Sequence, residues 1–228
     1  MEEFSELEKK LGIEFTDKDL LKQAFIHRSY LNEHPEIALP HNERLEFLGD
    51  AVLELVVTRY LYSNYPNPEG ELTNWRAALV NSKILGQIGE GLGFNDFMLL
   101  SKGEAKDAGK ARHFILANAM EAFIGSLYLD KGYDAASEFI TKYVLVELPS
   151  IIKEQLYQDP KSKFQEKAQE VVGITPTYNV IDEWGPDHER HFVVGVYLGE
   201  ELIAKGEGSS KQEAQEEAAK NGLEVKGW

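Results

Sequence analysis

The hydrophobic rhythm of the chain changes once, at Gln158-Asp159-Pro160, and that change divides it into two units of different class. Before it, apolar residues recur at helical spacing, as in Phe4, Leu7, Leu11 and again in Leu20, Leu21, Ala24, Phe25. The spacing predicts a long helix over 42–62, ended by the proline-rich SNYPNPEG, and another over 71–91, broken near Asn81-Ser82. A polar loop, SKGEAKDAGK (101–110), leads into an apolar helix over 112–129, closed by Lys131-Gly132, and a last helix is expected over 134–147. After the change, Asp159 reads as an N-cap and Pro160 as the first residue of a helix reaching about 172. Three runs of strand character follow, at 177–183, 190–198 and 201–208, and a helix over 209–221. The expectation is therefore a multidomain chain: an all-α domain over 1–153, a linker over 154–159, and a small α+β module of α-β-β-β-α order over 160–228.

The most unusual local pattern lies in the helix from 42. Glu43, Glu46, Asp50 and Glu54 are spaced 3, 4 and 4, which puts four carboxylates on one face. Leu45, Leu48, Val52, Leu53, Val56 and Val57 make the rest of that helix apolar, so it should be largely buried. Stacked carboxylates on a buried helix need a counter-charge, and a divalent cation with oxygen ligands is the natural one. An ordinary solvated acidic face is the plain alternative. Two features weigh against it. Gly49 sits among the carboxylates, where glycine costs about 1 kcal/mol relative to alanine. The apolar helix at 112–129 carries Asn118 and Glu121 one turn apart, with Gly125 a turn beyond. Small residues let helices approach closely, so Glu46, Asp50, Asn118 and Glu121 can meet as four oxygen ligands. That is the composition of a magnesium site that activates water for phosphodiester cleavage. His27, His34, His41 and His113 read as structural or surface residues.

Net charge complicates a nucleic-acid reading. The chain carries −15 overall, with 16 basic against 25 acidic residues in 1–158 and 8 against 14 in 159–228. Phosphate binding must then rest on local geometry and bound metal rather than on a basic surface. The densest basic group is Lys102, Lys106, Lys110 and Arg112, flanking the polar loop; contact with a nucleic-acid backbone and a plain solvated loop are the two readings. There is no cysteine, which excludes disulfides and Cys-built zinc sites and fits a cytoplasmic setting. No stretch approaches the roughly 20 apolar residues of a membrane span, and the acidic, amphipathic MEEFSELEKK does not read as a signal peptide.

HNERLEFLGDAVLELV (41–56) closely resembles the signature of the ribonuclease III endonuclease domain. HRSYLNE (27–33), LSKGE (100–104) and ILANAMEAFIGSLYLD (115–130) agree in order and spacing. The resemblance implies a homodimeric endonuclease that cuts double-stranded RNA to 5′-phosphate and 3′-hydroxyl ends, in ribosomal or messenger RNA processing. It implies Mg²⁺, with Mn²⁺ as a substitute, on Glu46, Asp50, Asn118 and Glu121. Asp50 and Glu121 are the catalytic pair, Glu43 is a supporting acid, and Phe47 is an aromatic that plugs into the partner subunit. One residue departs from the pattern: Asn118 stands where the family usually has Asp. An amide oxygen can ligate magnesium but brings no charge and cannot act as a base. A natural variant that still cuts, a weak enzyme needing more metal, and a deliberately inactivated form all stay open; retained but metal-hungry activity is favoured.

The second module resembles a double-stranded RNA-binding domain, which reads A-form shape rather than sequence. KSKFQEKAQE (161–170), GPDHERHFVVGVYL (185–198) and GEGSSKQEAQEEAAKNGL (206–223) carry the match. By family position, Gln165, Gln169 and His188 face the minor groove, while Ser210 and Lys211 hold phosphates at a helix start. Gln212 replaces a lysine of most relatives, which predicts one phosphate contact fewer. The rival readings are a non-catalytic double-stranded RNA binder disarmed by Asn118, and a helical scaffold whose acidic stripe binds basic proteins.

Overall fold

The computed structural model describes residues 2–106, 109–157, 159–186 and 190–228, without the side chains of Glu2, Glu3 and Lys110. It divides into two compact units, Met1–Tyr157 and Gln158–Trp228. The first is helical: α1 (Glu2–Leu11), α2 (Lys18–Ala24), α3 (Arg28–Glu33), α4 (Glu43–Asn64), α5 (Glu69–Leu79), α6 (Ser82–Gly91), α7 (Lys110–Tyr143) and α8 (Leu148–Lys153). The second runs α9 (Pro160–Val172), β1 (Thr177–Trp184), β2 (His191–Leu198), β3 (Glu201–Gly208) and α10 (Lys211–Lys226). The all-α unit and the α-β-β-β-α module are thus both present.

The first unit is built around the α4–α7 pair. Leu45, Val52, Leu53, Val56, Val57 and Leu61 are buried on α4, and Leu116, Ala119, Met120, Phe123 and Leu127 on α7. Phe123 is the hub of the aromatic core, with ring centroids 5.3 Å from Phe94, 4.9 Å from Phe139 and 5.6 Å from Phe15. Asn81 ends the expected 71–91 helix as foreseen: its Oδ1 accepts the Ile84 N–H (3.0 Å), capping α6.

Gly132 closes its helix as expected: its non-helical backbone (φ 82°, ψ −175°) breaks α7 into two helical stretches, the second reaching Tyr143. Two other boundaries differ from expectation. The expected 134–147 helix ends at Tyr143, passes through a 3₁₀ turn at Leu145–Glu147, and gives way to α8, which no pattern signalled. The final helix starts at Lys211 and reaches Lys226, well past Asn221, because Gly222 and Leu223 are buried core residues. Asn42 opens α4 without its side chain capping the helix. It is buried, and its Nδ2 donates to the Ala24 carbonyl (3.1 Å), fixing the start of α4 to the end of α2.

In the second unit β1, β2 and β3 form an antiparallel sheet in that order, with a register shift between Val180 and Asp182. Alternate residues of β2 (Phe192, Val194, Val196 and Leu198) are buried, as period-2 geometry requires. Asp159 caps α9 through the Ser162 N–H (3.0 Å), with Pro160 at the first turn. A Cβ on Gly206 would stand 2.5 Å or less from the Ala214 carbonyl, so glycine lets α10 lie directly on β3.

Candidate active site and nucleic-acid interface

A glycine pair places the carboxylates. A Cβ on Gly49 would collide with the Glu121 carbonyl oxygen and sit 2.6 Å from its carbon and 2.8 Å from the Gly125 nitrogen. A Cβ on Gly125 would collide with the Leu45 carbonyl oxygen and stand 3.0 Å from the Gly49 nitrogen. The two backbones touch, running antiparallel, which sets Glu46 and Asp50 of α4 within electrostatic reach of Glu121 on α7. Glu121 is the most perturbed of them. Burial, reinforced by the charges of Asp50 and Glu46, pushes its carboxyl up to about 8. Burial also raises Glu46, with Glu43 and Asp50 adding to it. Glu46, Asp50 and Glu121 thus share one electrostatic site contributed by two helices.

Asn118 lies one turn before Glu121 on the same face of α7 and is exposed, as is Asp50 on α4. Glu43, at the first turn of α4, is held by Arg28 (3.7 Å) and His41 (3.8 Å). Glu54, the last of the stripe, is exposed. Among the described residues no Lys or Arg pairs with Glu46, Asp50 or Glu121, and no three His, Asp or Glu side chains gather closely enough to hold a metal ion as they stand. The donor set nonetheless suits a hard divalent cation: three carboxylates and one amide oxygen, all oxygen ligands, crowded enough to raise a buried acid.

A second network escapes sequence reading. The Lys102 N–H donates to both Glu33 carboxylate oxygens (3.3 and 3.2 Å), and the Ser101 N–H to Ser29 Oγ (3.1 Å). His27 Nδ1 accepts the Ser29 N–H (3.3 Å) and caps α3, so the HRSYLNE segment clamps the polar loop. Glu33 stands in a quoted motif, but its partner lies 69 residues away, where no local pattern reaches. Lys102 and Lys106 are exposed on this loop; Arg112 is half-buried, its Nη2 donating to the Ala105 carbonyl (3.2 Å), so it braces the loop. His34 stacks on Tyr30 at 4.1 Å, a structural role.

In the second unit Gln165 and Gln169 are both exposed, one turn apart on α9. Gln169 Nε2 donates to Thr175 Oγ1 (2.5 Å). Ser210 caps α10, accepting the Glu213 N–H (3.1 Å) and keeping its own O–H to donate. Lys211 is exposed, its Nζ 5.6 Å from the centre of the Phe192 ring. Gln212 donates to Glu216 (2.9 Å). His188 lies outside the described residues. No helix among the described residues is long and apolar enough to cross a membrane.

Comparison with known proteins agrees with this division. The Ribonuclease-III-like family pattern matches residues 17–148, and the Double-stranded RNA binding motif matches 160–226. Ribonuclease 3 of Oceanobacillus iheyensis is 46% identical over 219 residues, covering 96% of each chain. Ribonuclease 3 of a Nitratiruptor species is 42% identical, covering 99% of this chain and 97% of its own. The nuclease domain of Ribonuclase III from Campylobacter jejuni superposes with a TM-score of 0.58 at 40% identity, covering 64% of this chain and 99% of that one. With a helical unit bearing paired carboxylates, an α-β-β-β-α module following it in sequence and relatives matching along nearly its whole length, the chain belongs to the ribonuclease III family of endoribonucleases.

Proposed function

We propose that this chain is a homodimeric endoribonuclease that binds double-stranded RNA and hydrolyses its phosphodiester bonds with a divalent cation. The observation that carries the reading is the α4–α7 crossing, where burial, reinforced by the charges of Asp50 and Glu46, holds Glu121 near pKa 8. Glu46, Asp50, Glu121 and the amide oxygen of Asn118 would hold the cation, Mg²⁺ or Mn²⁺ in its place. When bound, such a cation supplies Lewis acidity toward the phosphate and lowers the pKa of attacking water. Glu121 would hold the cation as a carboxylate, so cation affinity is expected to rise with pH. Asp50, exposed at the crossing, faces the substrate side, and Glu43 stays tied to Arg28 as a supporting acid. Cleavage of the P–O3′ bond leaves 5′-phosphate and 3′-hydroxyl ends.

Gln165, Gln169, His188, Ser210 and Lys211 would take the RNA, with 1–153 as the nuclease domain, 154–159 as the linker and 160–228 as the binding domain. Dimerisation is supported by α4 itself: Phe47 is 81% exposed, and Ala51 and Leu55 continue the stripe at spacings of 4. An exposed phenylalanine on a rigid helix favours a partner surface. The Campylobacter relative has a region involved in dimer formation. Processing of ribosomal or messenger RNA in the cytoplasm suits a cysteine-free member of this family.

The test is cleavage of a long end-labelled RNA duplex by this chain and by Asn118→Asp across Mg²⁺ and Mn²⁺ concentrations. Cleavage by the chain as it stands, shifted to lower metal concentration in the variant, is the expected result. Cleavage by the variant alone would make this chain a double-stranded RNA binder on a disarmed nuclease frame.

A further inference from the structure

The second unit must hold a polyanion with 8 basic residues against 14 acidic ones. Which of its cations keep their charge then decides where phosphate can sit. Lys167 is neutralised by Glu170 (2.7 Å) and Lys226 by Glu201 (3.5 Å). Lys161 differs. Its Nζ donates to the neutral Oε1 of Gln215 on α10 (2.6 Å) and lies 5.3 Å from the centre of the Tyr178 ring. Neither partner cancels the charge, and an ammonium has three donors. The remaining capacity is aimed from the junction of α9 and α10.

Its placement is specific. Lys161, Gln165 and Gln169 follow at spacings of 4, one stripe along α9. Lys211 and Gln215 follow at the same spacing along α10. The Lys161–Gln215 bond is where the two stripes meet. Lys211, likewise, lies against an aromatic ring rather than a carboxylate. Among the described residues, Lys161 and Lys211 are thus two cations near the start of α10 that pair with no carboxylate; Gln212 and Gln215 there are amides, and the Glu213 carboxylate is engaged by Ser209.

We propose that Lys161, drawn onto α10 by Gln215, is a phosphate-binding residue of the RNA face and supplies from α9 a second positive charge beside that of Lys211. The inference rests on the double-stranded RNA-binding reading. It makes Gln215 a positioning residue: the amide carries the lysine without neutralising it.

The experiment is fluorescence anisotropy of a labelled RNA duplex with the full chain, without divalent metal, from 0.05 to about 0.3 M salt. Loss of one phosphate contact lowers the slope of log K against log salt by about 0.9 and weakens binding about five- to tenfold at 0.1 M salt. Lys161→Met is expected to show both changes, equally on duplexes of unrelated sequence. Gln215→Glu, which neutralises the lysine in place without removing its stem, is expected to match it. Lys161→Met combined with Gln215→Lys moves the charge onto α10 and is expected to restore the slope. Unchanged slopes in Gln215→Glu, or weaker binding at unchanged slope in Lys161→Met, would overturn the proposal and leave Lys161 a strut between helices. A wild-type chain that ignores duplex RNA at 0.05 M salt would instead overturn the RNA-binding reading, and this inference with it.

Discussion

Replacing Gly49 with alanine tests whether the α4–α7 contact is what assembles the site. The added methyl carbon would lie 2.6 Å from the Glu121 carbonyl carbon and 2.8 Å from the Gly125 nitrogen, against 3.4–4 Å for ordinary contact. The obstacles are backbone atoms in the middle of a buried helix, so no rotamer relieves them. The helices must separate by about 1 Å along an interface that includes Leu45, Val52, Leu53 and Leu116. Overpacking of this kind costs about 1–3 kcal/mol, and more when the obstacle cannot move. Better helix propensity returns at most about 1 kcal/mol. A net loss of about 2 kcal/mol lowers the melting temperature of a unit this size by about 4–8 °C. Gly125→Ala meets the Leu45 backbone and should lose a similar amount. Because both methyls need the same separation, the double variant should lose clearly less than the sum. Gly70, in α5, has open space around its Cβ position, so Gly70→Ala should not lower the melting temperature. The assay is thermal unfolding followed by circular dichroism. A Gly49→Ala protein melting within about 2 °C of the parent, or additive losses in the double variant, would refute the argument.

Three further outcomes are expected. Glu121 holds its proton up to about 8 in the folded chain against an ordinary 4.5, so the folded state binds more protons in that window. Without divalent metal, stability should therefore fall as pH rises from about 4.5 to about 8, and Glu121→Gln should flatten that part of the slope in urea midpoints measured with a chelator. Burial opposes ionisation of Asp130, but the Thr16 and Asp17 N–H groups (2.8 Å each), with Lys131, hold its carboxyl below the usual range. Its contribution is present above the ordinary carboxylate range and lost as pH falls through the lowered value; Asp130→Asn should cost about 2–3 kcal/mol at pH 7 in chemical denaturation, a cost that shrinks toward pH 3. Phe47→Ala removes an aromatic worth about 1.5–3 kcal/mol when buried, so light scattering at micromolar concentration should show dimer dissociation strengthened about tenfold or more; an unchanged dimer would show that the exposed α4 stripe is not the interface.

Much of this was written locally. Period-3.6 and period-2 patterns, the Asp159-Pro160 helix start and the Asn81 break are properties of neighbouring residues, so the two units and most elements could be read from the chain alone. The stripe Glu43, Glu46, Asp50 follows from helix geometry once the helix is granted. Other features depend on residues far apart. Gly132 reads as a stop signal and its backbone does break the helix, but where the following stretch runs depends on the packing of Phe139 and Ile140 into the core. Glu33 finds its partner at Lys102, Asn42 at Ala24 and Asp130 at Thr16, all pairings that no spacing rule encodes. The same holds for the site. Sequence supplied the acids and the two glycines, because side-chain charge and size are local properties. Only tertiary packing brought Gly49 against Glu121, and only burial beside two other carboxylates could turn an ordinary glutamate into one that keeps its proton to about 8.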